Sequence, residues 1–232
     1  VILSLPNGLS SQLTPLLLDK GLRILDLSAD YRFKSLKKWK KVYSSESLKY
    51  PRNDNKLCEE AVYGLSEEFN KEISESRLVA CPGCYPTASL SILIPFIKQG
   101  LIDHDGIVID AKSGTSGGGR KPSEQLLLSE SSESIKPYGV IGHRHTCEIE
   151  TIASHFSGHK VELQFTHHLV PMVRGILSNV YSRLRDPGLT AEDCKVVLEA
   201  YYQNQPFITI LPVGVYPETK WVKNTNKIMI SV

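Results

Sequence analysis

The first thirty residues constrain the fold most. Val1 to Leu5 is a short apolar run, and leucines at 9, 13, 16 and 17 recur with helical period through Lys20. Gly21 then stops the helix, and Leu22 to Leu27 is a second apolar run. Strand, helix and strand packed this tightly leave the two strands parallel, so the chain opens inside an α/β sheet. Composition agrees with a packed protein: 41% of the 232 residues are hydrophobic, against 22% charged. No apolar run approaches the ~20 residues that span a bilayer, and the start lacks the basic region and cleavage site of a signal peptide. A formal charge of +2 gives no electrostatic footprint for nucleic acid. Five cysteines, an odd number, argue against a disulfide framework and for reduced thiols inside a cell.

Further along, residues 34–49 read as a Lys- and Ser-rich surface helix, with Trp39 and Trp221 as packing residues. An apolar helix is expected over 87–98, ended by Gly100, and a strand over 106–110. Residues 123–134 form a Ser/Glu-rich helix or loop, and Thr146 is placed to cap a helix running to about Phe156. Strands at 160–166, 175–184 and 207–213 and a helix at 190–203 headed by Thr190 complete a mixed sheet with helices.

Cys84 is the most informative position for chemistry. It follows Pro82-Gly83 and meets the start of the apolar helix, where the helix dipole and free N–H groups favour a thiolate. The same residue also fits a buried structural cysteine. Cys81-x-x-Cys84 matches a thioredoxin-like pair, or half of a zinc site completed by His143, His145 and Cys147. Those three alternate, however, and would need extended chain where Thr146 and Glu148 suggest a helix start. His143-Arg144-His145 offers imidazoles of near-neutral pKa beside a permanent cation, which suits acid/base work on an anionic substrate; it also fits a solvated loop. Gly114, Gly117, Gly118 and Gly119 permit close backbone approach to a phosphate or cofactor, without the Lys-Ser/Thr of a Walker loop. One of His167 and His168 must face inward, most simply in a structural role, and His104, His155 and His159 have no neighbours that suggest one.

Six segments in register resemble the N-acetyl-γ-glutamyl-phosphate reductase family of arginine biosynthesis. They are 25–33 (Leu-Asp-Leu-Ser-Ala-Asp-Tyr-Arg-Phe), 61–65 (Ala-Val-Tyr-Gly-Leu), 82–87 (Pro-Gly-Cys-Tyr-Pro-Thr), 113–120 (Ser-Gly-Thr-Ser-Gly-Gly-Gly-Arg), 143–146 (His-Arg-His-Thr) and 168–175 (His-Leu-Val-Pro-Met-Val-Arg-Gly). The resemblance implies an α/β enzyme in two parts. Residues 1–83 would be the end of an incomplete Rossmann NADP-binding domain, and 84–232 a mixed α+β catalytic and oligomerisation domain like that of glyceraldehyde-3-phosphate dehydrogenase. It implies NADP-dependent reduction of a small-molecule acyl phosphate to an aldehyde, with Cys84 as nucleophile, His145 as acid/base and His143 close behind it. Pro6, Asn7, Gly8, Ser28, Ser113, Gly114 and Gly117 would lie along the cofactor, and Arg32, Arg120, Arg144 and Arg174 would contact substrate anions. No metal is implied. The expected protein is a cytoplasmic homo-oligomer (mitochondrial or plastid if the source is eukaryotic), without nucleic-acid or membrane partners.

The chain also departs from the family pattern. Cys81 stands where the family has asparagine, a thiol three residues from the nucleophile, and Cys147 and His167 stand where it has prolines. The glycine-rich nucleotide turn is expected before residue 1 and a closing helix after Val232, and 224–229 lacks the family's Cys-Asp pair. The sequence therefore reads as an internal piece of a longer enzyme or as a decayed homologue. Three rivals stay open: a reductase of carrier-linked aminoadipyl phosphate, a catalytically dead assembly subunit, and the zinc or dithiol reading of Cys81 and Cys84.

Overall fold

A computed structural model describes residues 1–119 and 122–232. The chain divides into two compact units, Val1–Gly83 and Cys84–Val232.

In the first unit, strand β1 (Ile2–Leu3), helix α1 (Ser10–Leu18) and strand β2 (Ile24–Asp26) form the expected opening. Short helices α2 (Leu36–Val42), α3 (Ser44–Lys49) and α4 (Asn55–Glu60), strand β3 (Val62–Tyr63), helix α5 (Asn70–Glu75) and strand β4 (Leu78–Ala80) follow. The four strands make one sheet in the order β1-β2-β4-β3, every pair parallel. The leucine stripe of α1 is not its buried face. Ser10, Ser11, Thr14 and Leu18 are buried, whereas Leu13 and Leu16 are exposed. Small hydroxyl residues let the helix lie close: Thr14 Oγ1 donates to Ser10 O and Ser11 N–H to the Asp30 carboxylate. Residues 34–49 form two helices rather than one surface helix, because Tyr43 leaves helical geometry and stacks on a fully buried Trp39.

Arg52 locks this region. Its guanidinium makes two bonds to Asp54, donates to Asp30 O at 2.7 Å and lies over the Trp39 and Tyr31 rings. A buried cation needs this completeness, because an unpaired one costs several kcal/mol.

The second unit begins with helix α6 (Cys84–Lys98) and strand β5 (Ile107–Ser113). Helix α7 (Leu128–Ser131), strand β6 (Lys136–Pro137), helix α8 (Arg144–Ser157) and strands β7 (Leu163–Leu169) and β8 (Ile176–Tyr181) come next. Helix α9 (Ala191–Tyr202), strand β9 (Ile208–Ile210), helix α10 (Thr219–Val222) and strand β10 (Ile228–Ile230) close the chain. The main sheet runs β6-β7-β5-β8, with β5 and β7 parallel over seven residues and both outer pairs antiparallel. Along β5 and β7 alternate residues are buried, so Ile107, Ile109, Ala111, Leu163, Phe165 and His167 form one inner face. Helices α6 and α8 pack together and against this sheet, and β9 and β10 pair in parallel as a separate ribbon.

Two details fix α6. Pro86 falls in its first turn, where a missing N–H costs nothing. Pro95 lies inside it and leaves the Ser91 carbonyl without its helical donor. The Tyr202 hydroxyl on α9 donates to that carbonyl at 2.6 Å. Helix α9 is headed by a full capping box between Thr190 and Asp193.

Trp221, expected in packing, is 40% exposed. The rings of His104 and His159 lie 5.7 Å apart, and that of His155 lies 5.1 Å from Phe156, so none of the three is isolated.

Candidate active site

Helix α6 starts at Cys84 itself, three residues earlier than the sequence suggests, which places the nucleophile candidate in the first turn. Its thiol is exposed and opens on a cleft of about 1040 Å³. Thr87, Ser113, Gly114, Gly117 and Gly175 line the cleft beside it. Three expected cofactor residues, Ser113, Gly114 and Gly117, are thus brought to the same cavity as the thiol.

The glycines of this turn are set by packing. Residues 172–175 cross it, giving bonds from Gly114 N to Gly175 O, Thr115 N to Met172 O and Ser116 N to Val173 O at 2.9–3.0 Å. A Cβ on Gly114 would sit 2.7 Å from Val173 O and 2.8 Å from Arg174 N, too close for any other residue. At Gly117 it would meet Ser113 Oγ at 2.8 Å. Arg174 belongs to the crossing segment and is exposed; Arg120 lies outside the described residues.

Thr146 does not cap α8. His143 does: its backbone is extended, and its Nδ1 accepts the N–H of His145 at 3.1 Å. The accepting Nδ1 carries a lone pair, so the neutral ring holds its proton on Nε2. Arg144 is the exposed first residue of the helix. The His143 and His145 rings lie 4.9 Å apart, and each lies 5.9 Å from the Tyr85 ring on α6. Around them Phe165, His167 and Tyr138 complete an aromatic box, with Tyr85 and Tyr138 sharing a hydroxyl hydrogen bond of 2.9 Å. Burial, with smaller contributions from His167 and Arg144, pushes His143 down to about 4; burial does the same to His167, aided by His168. Burial pushes the Tyr85 and Tyr138 phenols up. The box thus favours a neutral His143 imidazole at the head of α8. Among the described residues no group of three His, Cys, Asp or Glu side chains is placed to hold a metal ion.

Sequence reasoning gives Tyr85 and Tyr138 no site role and His167 only a structural one. The inward choice between His167 and His168 was readable from strand period two. Tyr138 carries no local signal, because β6 reaches the box only through its pairing with β7.

In the first unit the remaining residues gather at the carboxyl ends of the parallel strands, the edge where open α/β sheets bind ligands. Asp30, 0% exposed, accepts from Gly8 N at 2.6 Å and Ser11 N at 2.9 Å and so shapes the turn after β1. Burial holds its carboxyl above the usual carboxylate range, against the pull of those amides and Arg52. Asn7 Oδ1 accepts from Ala29 N, Pro6 O from Leu9 N, and Ser28 Oγ donates to Asp26. Arg32 donates to the carbonyls of Cys81 and Leu27, at 2.9 and 3.1 Å, which braces the ends of β4 and β2.

Two family models match the chain: the semialdehyde dehydrogenase NAD binding domain over residues 1–76 and the semialdehyde dehydrogenase dimerisation domain over 84–232. The chain belongs to the semialdehyde dehydrogenase family. Curated relatives include proteins named N-acetyl-gamma-glutamyl-phosphate reductase from Prochlorococcus marinus strain NATL2A, 80% identical, and Parasynechococcus marenigrum strain WH8102, 63% identical. Both matches cover 100% of this chain but 64% and 65% of the relatives, so it spans just under two thirds of their length. Aspartate semialdehyde dehydrogenase II from Vibrio cholerae shares the fold with a TM-score of 0.63 at 15% identity, over 94% of this chain and 64% of that one. The enzyme from Candida albicans, solved with NADP, does so with 0.60 at 12%, over 95% and 63%. The α/β class expected from the sequence holds, and among the described residues no helix is long and apolar enough to cross a membrane.

Proposed function

We propose that this chain is part of an NADP-dependent N-acetyl-γ-glutamyl-phosphate reductase, acting in the cytoplasm as a homo-oligomer. The observation that carries the reading is Cys84: an exposed thiol in the first turn of a 15-residue helix, opening on a cleft beside the Ser113–Gly117 turn. Relatives carrying the reductase name at 60–80% identity supply the substrate class.

The Cys84 thiolate attacks the acyl carbon and phosphate leaves, giving a thioester. The helix dipole and first-turn N–H groups favour the thiolate. The turn at Ser113, Gly114 and Gly117 fits a flat cofactor ring, since it presents backbone and one hydroxyl to the cleft wall. Within the first unit, Pro6–Gly8 and Ser28 at the carboxyl edge of the parallel sheet are the proposed cofactor contacts. NADPH held there would supply the hydride that reduces the thioester. His145, with His143 capping the helix that carries it, helps hold the Cys84 thiolate for acylation; it later gives a proton to the resulting oxygen and takes it back as the aldehyde departs and Cys84 is freed. Arg144 and Arg174, both exposed cations, and Arg120 are proposed contacts for the substrate's carboxylate and phosphate. Arg32 acts from its carbonyl-bracing position.

The test is phosphate-dependent oxidation of N-acetylglutamate semialdehyde by NADP in the full-length protein. Turnover that disappears in Cys84→Ser supports the proposal. Turnover only with the aminoadipate counterpart reassigns the substrate, and turnover that survives Cys84→Ser overturns the mechanism.

A further inference from the structure

His167 has no role in the reaction described above, yet it occupies the centre of the aromatic box. It is 0% exposed, and neither ring nitrogen has a hydrogen-bond partner among the described residues. Its ring stacks on Phe165 at 4.9 Å, meets Tyr138 edge-on at 4.3 Å and lies 4.0 Å from His143. A Cβ on Gly139 would lie 3.3 Å from its Nε2, so the backbone closes the fourth side. A buried imidazole without partners contributes nothing through hydrogen bonding. What it does is fill the volume that water would otherwise take beside His143. The cap on α8 requires exactly that environment, because Nδ1 accepts the His145 N–H only while His143 is unprotonated at that nitrogen.

We propose that His167 is a positioning residue: by walling His143 from water it preserves the neutral cap that presents His145 at the head of α8. The inference rests on the functional reading above for the roles of His143 and His145, but not for the state of the cap itself. The groups facing His143 are Tyr85 from α6, Tyr138 beyond β6, Arg144 and His145 on α8, and Phe165 and His167 on β7. His168 is the further charge-bearing neighbour of His167. Arg144 is the permanent cation among them and works in the same direction as the wall, against a proton on His143. Burial is the larger cause of its depressed basicity, so opening the wall to water should raise it towards the ordinary imidazole value.

The experiment compares wild type with His167→Ala and His167→Leu, using ¹⁵N titration of the His143 imidazole and the pH profile of Cys84 acylation by N-acetyl-γ-glutamyl phosphate. In wild type His143 should stay neutral and Nε2-protonated down to about pH 5. In His167→Ala its titration should move up towards the unperturbed value of about 6.5. At that upper limit only about one tenth would be neutral at pH 5.5, so acylation falls there, by up to roughly tenfold, with little change at pH 8. His167→Leu refills the space and should restore both. A lower Tm in His167→Ala with unmoved titration and pH profile would overturn the proposal, as would failure of Leu alongside rescue by His167→Gln. If the imidazole titration shifts as expected but no form is acylated, the cap inference stands and the functional reading fails.

Discussion

Replacing Tyr202 by phenylalanine removes one hydroxyl and no packing volume. That hydroxyl is the donor that reaches the Ser91 carbonyl, left open by Pro95 in the middle of α6. Tyr202 is 5% exposed and the bond is buried, so water does not readily take its place. Leaving a buried carbonyl unpaired costs about 1–3 kcal/mol. A loss of about 2 kcal/mol corresponds to roughly 4–8 °C in Tm for a body of this size. The decisive assay is a double-mutant cycle by urea unfolding. Pro95→Ala returns a backbone N–H to Ser91, so Tyr202→Phe should cost only about 0.5 kcal/mol in that background. Equal costs in the two backgrounds, within about 0.3 kcal/mol, would refute the argument that the tyrosine compensates the proline.

Other substitutions test the turn, the first unit and the aromatic box. Gly114→Ala drives a Cβ into the Val173 backbone and should lower stability by about 1–3 kcal/mol. It should also cut Cys84 acylation at least tenfold, measured as adduct formation against thiol alkylation. Asp30→Ala removes the acceptor of Gly8 and Ser11 and exposes part of the buried Arg52 charge; a loss of about 3–5 kcal/mol in chemical unfolding is expected. For pH, His143 and His167 lie at about 4 when folded against about 6.5 when unfolded. Between those values the unfolded chain binds more protons, so stability is flat above pH 7 and falls as pH drops from about 6.5 towards 4. The slope reaches up to ~1.4 kcal/mol per pH unit for each imidazole, and urea midpoints across that window would measure it.

Local features were legible in the sequence. The opening βαβ, the Thr190 start of α9 and the thiol at the head of α6 each follow from neighbours within a few residues. Gly100 also stops α6 through a positive φ, as its position suggests. Features that depend on distant partners were not legible. The buried side of α1 is chosen by Asp30, and the break between α2 and α3 by the stacking of Tyr43 on a buried Trp39. His143 as cap competes with Thr146 only once its ring is held by β7 and Tyr138. The aromatic box draws on α6, α8, β7 and the chain beyond β6, and no spacing along the sequence encodes that meeting.

The claim that everything else serves is that Cys84 is an acyl-accepting nucleophile. Exposure to N-acetyl-γ-glutamyl phosphate without cofactor, followed by intact and peptide mass measurement, tests it most directly, because acylation does not require the hydride. The account predicts an acetylglutamyl adduct on Cys84, none on Cys81, and none anywhere after Cys84→Ser. An unmodified Cys84 that still labels readily with iodoacetamide would contradict it.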